Sequence, residues 1–131
     1  MLKEGRHSPA DEWIMHEVSP GKIRLESHDP FYKGWFLNDA GRPYLDNDFK
    51  GALQAEVFHG IQPSNDVWRD QVESDGAHSL WTCDPNRPDY ALARGRRQHP
   101  NAPVFLLLRR ITSQRLRQES RFKIIDLHSN P

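Results

Sequence analysis

The sequence predicts an α+β fold: one globular domain over residues 1–131, mostly antiparallel sheet, with two or three short helices packed on one side. Three observations predict it. In the first 76 residues, apolar side chains recur every four positions in segments bounded by capping residues. From residue 77 onward, short β-prone runs alternate with turn residues. Residues 104–108 form an apolar run without alternation, as in a central strand covered on both faces. With four Trp, six Phe and three Tyr, a chain of 131 residues has enough apolar bulk for one core.

The elements follow in order. In "SPADEWIMHEVSPG", Ser8 suits an N-cap, Pro9 the first helical position and Asp11 the acid of a capping box. Ala10, Ile14 and Val18 share a helical face, and Ser19-Pro20-Gly21 stops the run, so residues 9–18 are expected to be helical. "KIRLE" alternates and predicts a half-buried strand. "FYKGWFLNDAGRPYL" predicts strand, turn, strand, with the turn at residues 38–41. In "DNDFKGALQAEVFHGI", Phe49, Leu53 and Val57 are four apart, which favours helix, while Leu53, Ala55 and Val57 also alternate as in a strand. "PSNDVWRDQVESDG" predicts another helix, with Asn65 or Asp66 as cap, Trp68 and Val72 on one face, and Gly76 as stop. "HSLWTC", "YALARG", "VFLLLRRI" and "FKIIDL" are the later strands; "TSQRLRQESRF" is read as a connection.

The formal charge is zero, but it is divided. Residues 1–90 carry nine Lys/Arg against sixteen Asp/Glu, a net of −7; residues 91–131 carry nine against two, a net of +7. Such a division points to an acidic or nucleic-acid partner, or to two halves that neutralise each other on folding. No apolar run is long enough to span a bilayer, and the opening residues lack the apolar stretch of a signal peptide. A cytoplasmic chain without membrane contact is the expectation.

Arginines are the leading candidate site. Arg94, Arg96 and Arg97 precede the apolar run, Arg109 and Arg110 close it, and Arg115 and Arg117 follow, with Arg121 beyond. The guanidinium fork suits phosphate because it makes two parallel hydrogen bonds and keeps its charge. Among seven histidines, His78, His99 and His128 lie near strands, where two of them with an arginine would supply the base, acid and cation of a metal-independent phosphodiesterase. Glu12 and His16, four apart, would share a helical face able to hold a metal or form a surface pair, the pair being preferred. "DNDFKG" starts like a calcium loop but has Lys50 at its fifth position and Val57 at its twelfth, so it is rejected. Cys83 is alone, which excludes an internal disulfide, and is read as a small buried apolar group. No cofactor motif is present, so no metal and no cofactor are expected. The sequence thus predicts a non-enzymatic binding module whose charge-split surface takes a protein partner or a second copy as a homodimer. Binding of nucleic acid or a phosphate ligand through the arginines is the first alternative, and the phosphodiesterase the second.

Overall fold

The computed structural model describes residues 2–3, 12–61, 65–95 and 106–123. Their regular secondary structure is nearly all strand. β1 (Leu2–Lys3), β2 (Glu12–Ser19), β3 (Lys22–Ser27), β4 (Trp35–Pro43), β5 (Leu53–His59), β6 (Trp68–Val72), β7 (His78–Thr82), β8 (Tyr90–Arg94) and β9 (Leu106–Arg110) precede one short helix, α1 (Gln114–Glu119). Two 3-10 turns, Pro30–Tyr32 and Asn47–Phe49, join them. The neighbour order is β1-β2-β3-β4-β5-β9-β8-β7-β6, and β6 pairs back to β3 through Ile23↔Trp68 and Lys22↔Arg69. Strands β3 to β9 are therefore a closed, seven-stranded antiparallel barrel, with β2 added on the other edge of β3. This corrects the α+β expectation: where the helices expected before residue 77 fall on described residues, these form strands, 3-10 turns and loops, while residues 9–11 and 62–64 lie outside the described set.

The reason is arithmetic. Four residues are close to one helical turn, but also two full periods of a strand. Ile14 and Val18 share a face of a strand as well as of a helix, and on β2 it is Trp13 and Met15, on the opposite face, that pack against the core. Ser19-Pro20-Gly21 does not stop a helix. It turns β2 into β3, with Ser19 paired to Lys22 and Gly21 at φ +77°. In β5 the inward set is Leu53, Ala55 and Val57. In β6, Trp68 is fully buried while Val72 is 60 % exposed, so their shared face runs out of the barrel.

The turn expected at residues 38–41 is also absent. β4 runs through it with a bulge between Asp39 and Pro43. The turn-forming residues there are satisfied by distant partners: Arg87 Nη1 donates to both Asp39 carboxylate oxygens at 2.9 Å, and Asp39 N–H donates to Asn65 O at 2.9 Å. Gly41, at φ +72°, leaves the room Arg87 needs, since a Cβ there would fall 2.7 Å from Arg87 Nη2. α1 lies where a connection was expected. Ser113 Oγ caps it by accepting from Leu116 N–H at 3.2 Å, and Arg115 pairs with Glu119 one turn on at 3.1 Å.

The expected strands over "KIRLE", "HSLWTC" and "YALARG" are present as β3, β7 and β8, and the apolar run is present from Leu106 on as β9, with residues 104 and 105 outside the described set. Ile23, Leu25, Leu37, Trp68, Leu80, Leu92 and Leu108 fill the barrel with Phe122, each less than a tenth exposed. Leu53, Leu108 and Leu92 are direct cross-strand neighbours. Outside, Ala52, Ala93 and Leu107 form a second cluster under Tyr44 and Phe49. Leu107 and Leu108 are both fully buried on opposite faces of β9, as the unalternating run predicts. Of the last expected strand, Phe122 alone is described as paired, bridging to His78; residues 124–131 lie outside the described set. No described helix is long and apolar enough to cross a membrane.

Candidate anion-binding cleft

The structure sorts the arginines into two groups and leaves Arg96 and Arg97 outside the described residues. Arg94, Arg117 and Arg121 surround α1 and serve the fold. Arg94 Nη1 donates to Glu119 O at 2.9 Å, Nη2 donates to Arg121 O, and the guanidinium lies 4.6 Å over the Phe122 ring. Arg117 grips Glu73 with two bonds, Nε to Oε1 at 3.0 Å and Nη2 to Oε2 at 3.2 Å. Arg121 Nη1 donates to Asp75 at 2.8 Å. Arg117 and Arg69 both lie over the Trp81 ring, at 5.6 and 5.5 Å, and Trp81 Nε1 donates to Ser79 Oγ, which donates to Glu73. Acids from the first 90 residues thus meet cations from the last 41 within the fold. Arg115 is 86 % exposed and pairs with Glu119 on its own helix.

Glu73 is the centre of this network, 6 % exposed at its side chain. The hydrogen bonds from Arg117 hold its carboxyl below the ordinary value of 4.5 against burial, which raises it, with help from Ser79. The sign follows from linkage. A carboxyl lowered in the folded state contributes stability that is complete above pH 4.5 and lost as pH falls through the folded value. Glu73→Gln is therefore expected to cost about 2 kcal/mol at neutral pH, below a fully buried pair because Arg117 is 37 % exposed. The difference between variant and wild type in urea unfolding should shrink below pH 4.5. Curves that stay parallel down to pH 3 (well below an ordinary carboxylate) would remove the ionic pair from this account.

The second group lines an open cleft of about 270 Å³ formed by Lys50, Gly51, Tyr90, Arg109, Arg110, Thr112 and Leu116. Lys50 and Gly51 come from the turn before β5, Tyr90 from the start of β8, and the two arginines from the end of β9. The register sets Tyr90 opposite Arg110 and Ala91 opposite Arg109, so the two arginines leave opposite faces of β9 at the strand end that borders the cleft. Arg109 is oriented by the Phe49 ring, 5.2 Å away, and lies 3.5 Å from a Glu119 oxygen. Arg110 is 63 % exposed and 4.0 Å from Asp89. Both acids are about half exposed, and no ion pair to Lys50 occurs among the described residues. Of the seven candidate arginines, the cleft brings together Arg109 and Arg110. Sequence reasoning missed Lys50, although it is the residue that breaks the calcium-loop pattern. It also missed the hydroxyl-bearing Tyr90 and Thr112, which reach the cleft through strand order alone.

Of the three candidate histidines, His78 is described; His99 and His128 are not. His78 Nδ1 lies 2.6 Å from Asp70 Oδ1, a His–carboxylate pair at the start of β7. The other end of that strand, where Trp81 pairs with Ala91, is the one beside Tyr90, about 10 Å further along the strand. His16 hydrogen-bonds Glu26 across the β2–β3 hairpin at 2.8 Å, and on a strand the four-residue step from Glu12 spans about 13 Å, so no shared helical face exists. Cys83 is exposed, contrary to its reading as buried. Among the described residues, no three His, Cys, Asp or Glu side chains gather as a metal site. No protein-family model, curated protein or solved structure matches the chain.

Proposed function

We propose that this chain is a binding module for a phosphate-type anion, taken by Lys50, Arg109 and Arg110. One observation carries the reading: three cations line one open cleft of about 270 Å³, with acids at 3.5 and 4.0 Å as their described ion-pair partners. Arg24, Arg87, Arg115, Arg117 and Arg121 each hold a carboxylate at 2.8 to 3.1 Å, and the exposed Arg42 lies 3.8 Å from Glu56. Two guanidinium forks and an ammonium supply charge-assisted donors, and the Tyr90 and Thr112 hydroxyls lie in the same cleft. A free phosphate ligand and a nucleic-acid backbone present the same group. Binding through opposed charge to a protein partner or a second copy has less support, because Glu73–Arg117 and Asp75–Arg121 neutralise the two parts of the chain internally.

The test is calorimetric titration with pyrophosphate at low and near-physiological salt. Wild-type protein should bind, and more weakly as salt rises. Lys50→Gln and Arg110→Gln should each weaken binding by about tenfold, the worth of one charge-assisted hydrogen bond. Arg42→Gln, at a side chain 70 % exposed and outside the cleft, should change nothing. Absence of binding at low salt would refute the proposal.

A further inference from the structure

The cationic cleft does not end at Lys50. Lys50 and Gly51 also line a second open cavity of about 370 Å³, completed by Tyr44, Leu45, Asp46 and Asn47. Its character differs. Leu45 is 93 % exposed, an apolar side chain that the fold leaves in solvent. The Tyr44 ring stands edge-on to Phe49 at 5.9 Å, anchored on the outer cluster. The segment that carries them is tied by its own backbone: Tyr44 N–H to Ala52 O at 2.8 Å, Phe49 N–H to Asp46 O at 3.0 Å, and Ala52 N–H to Phe49 O at 3.0 Å. Asp46 Oδ1 fixes the 3-10 turn by accepting from Asp48 N–H at 2.9 Å. An exposed leucine alone says little. An exposed leucine on a loop pinned by four hydrogen bonds, whose cavity shares Lys50 and Gly51 with a three-cation cleft, is a different case.

Resting on the anion-binding reading above, we infer that the two cavities form one bipartite site for a nucleoside phosphate. The phosphates lie among Lys50, Arg109 and Arg110, and the base lies against Leu45 and Tyr44. Pyrophosphate needs the first cavity alone; the second gives a flat apolar group a place to lie. Volumes of 270 and 370 Å³ lie at the lower end for small-ligand sites, and the two taken together suit a nucleotide. The Asn47 amide carries both a donor and an acceptor, as reading the edge of a base requires. The nucleotide is either free or the 5′-phosphorylated end of a strand, since both present the same phosphate and base.

The experiment compares ADP, pyrophosphate and a short 5′-phosphorylated oligonucleotide by calorimetry on wild-type protein, Leu45→Ser and Asn47→Ala. The inference expects ADP to bind at least tenfold tighter than pyrophosphate. Leu45→Ser should erase most of that advantage and leave the pyrophosphate affinity within twofold. Tighter binding of the oligonucleotide than of ADP identifies a nucleic-acid end as the source, and the reverse identifies the free nucleotide. If ADP and pyrophosphate bind alike and Leu45→Ser changes neither, the bipartite site is wrong while the anion-binding cleft stands. If none of the three binds at low salt, both fail.

Discussion

Trp68→Ala is expected to lower the unfolding free energy by about 3–5 kcal/mol, a large part of the about 5–15 kcal/mol that holds a domain folded. Trp68 opens β6 and is fully buried. It pairs with Ile23 on one side and Thr82 on the other, at the seam where the barrel closes. β3 shares one edge between two strands here: Glu26 pairs with Phe36 of β4, while Lys22 and Ile23 pair with β6. β4 and β6 are held together by the Trp68 indole, whose Nε1 donates to Leu37 O at 3.2 Å. Truncation removes the largest core side chain and that link together. Trp68→Phe keeps most of the volume and loses the hydrogen bond, so its cost should be smaller, about 1–2 kcal/mol. Urea unfolding followed by circular dichroism measures both. A loss below about 1 kcal/mol for the alanine variant would show that the seam does not depend on this residue.

Phe122→Ala should cost a similar amount, about 3–5 kcal/mol, for a related reason. The barrel leaves the start of β7 unpaired by β8, whose register with β7 is given by Trp81↔Ala91. Phe122 covers that gap. Its N–H donates to His78 O at 2.7 Å, its O accepts from His78 N–H at 2.8 Å, and its ring is 1 % exposed in the core. Arg94 closes over the ring while its guanidinium binds two carbonyls at the end of α1. Residues in such contact are not energetically independent. A double-mutant cycle of Phe122→Ala with Arg94→Ala should give a coupling of about 0.5–2 kcal/mol. Strict additivity would mean that the guanidinium serves α1 alone.

The expected results at Lys50, Arg110 and Leu45 concern binding, and they rest on a site that was partly legible. Arg109 and Arg110 stand out in the sequence because charge follows directly on an apolar run that must be buried. Lys50 does not stand out. It is far from both arginines in the chain, and nothing local tells that β5 lies beside β9. The division of charge was legible as well, but its meaning was not. The arginines of "TSQRLRQESRF" fit two readings, a site for an acidic or nucleic-acid partner and a basic face paired with acids of the first half. A folded chain places Glu73 and Asp75 against them, and two groups so far apart can pair only through the strand order that joins them.

By itself, the sequence determined the later strands and the core. β3, β7, β8 and β9 are bounded by turn residues and built from β-prone or alternating segments, and their apolar side chains have no other place than an interior. The tertiary structure alone decided that β2, β5 and β6 are strands. Their apolar spacing of four fits either period, and their caps and helix-favouring residues tip local preference toward helix. A helix satisfies its backbone from within itself, whereas a strand needs a neighbouring edge. β3 offers that edge to β2 and to β6, and β4 with β9 offers it to β5. Closing the ring buries one apolar face from every strand, a gain that no window of the sequence can report.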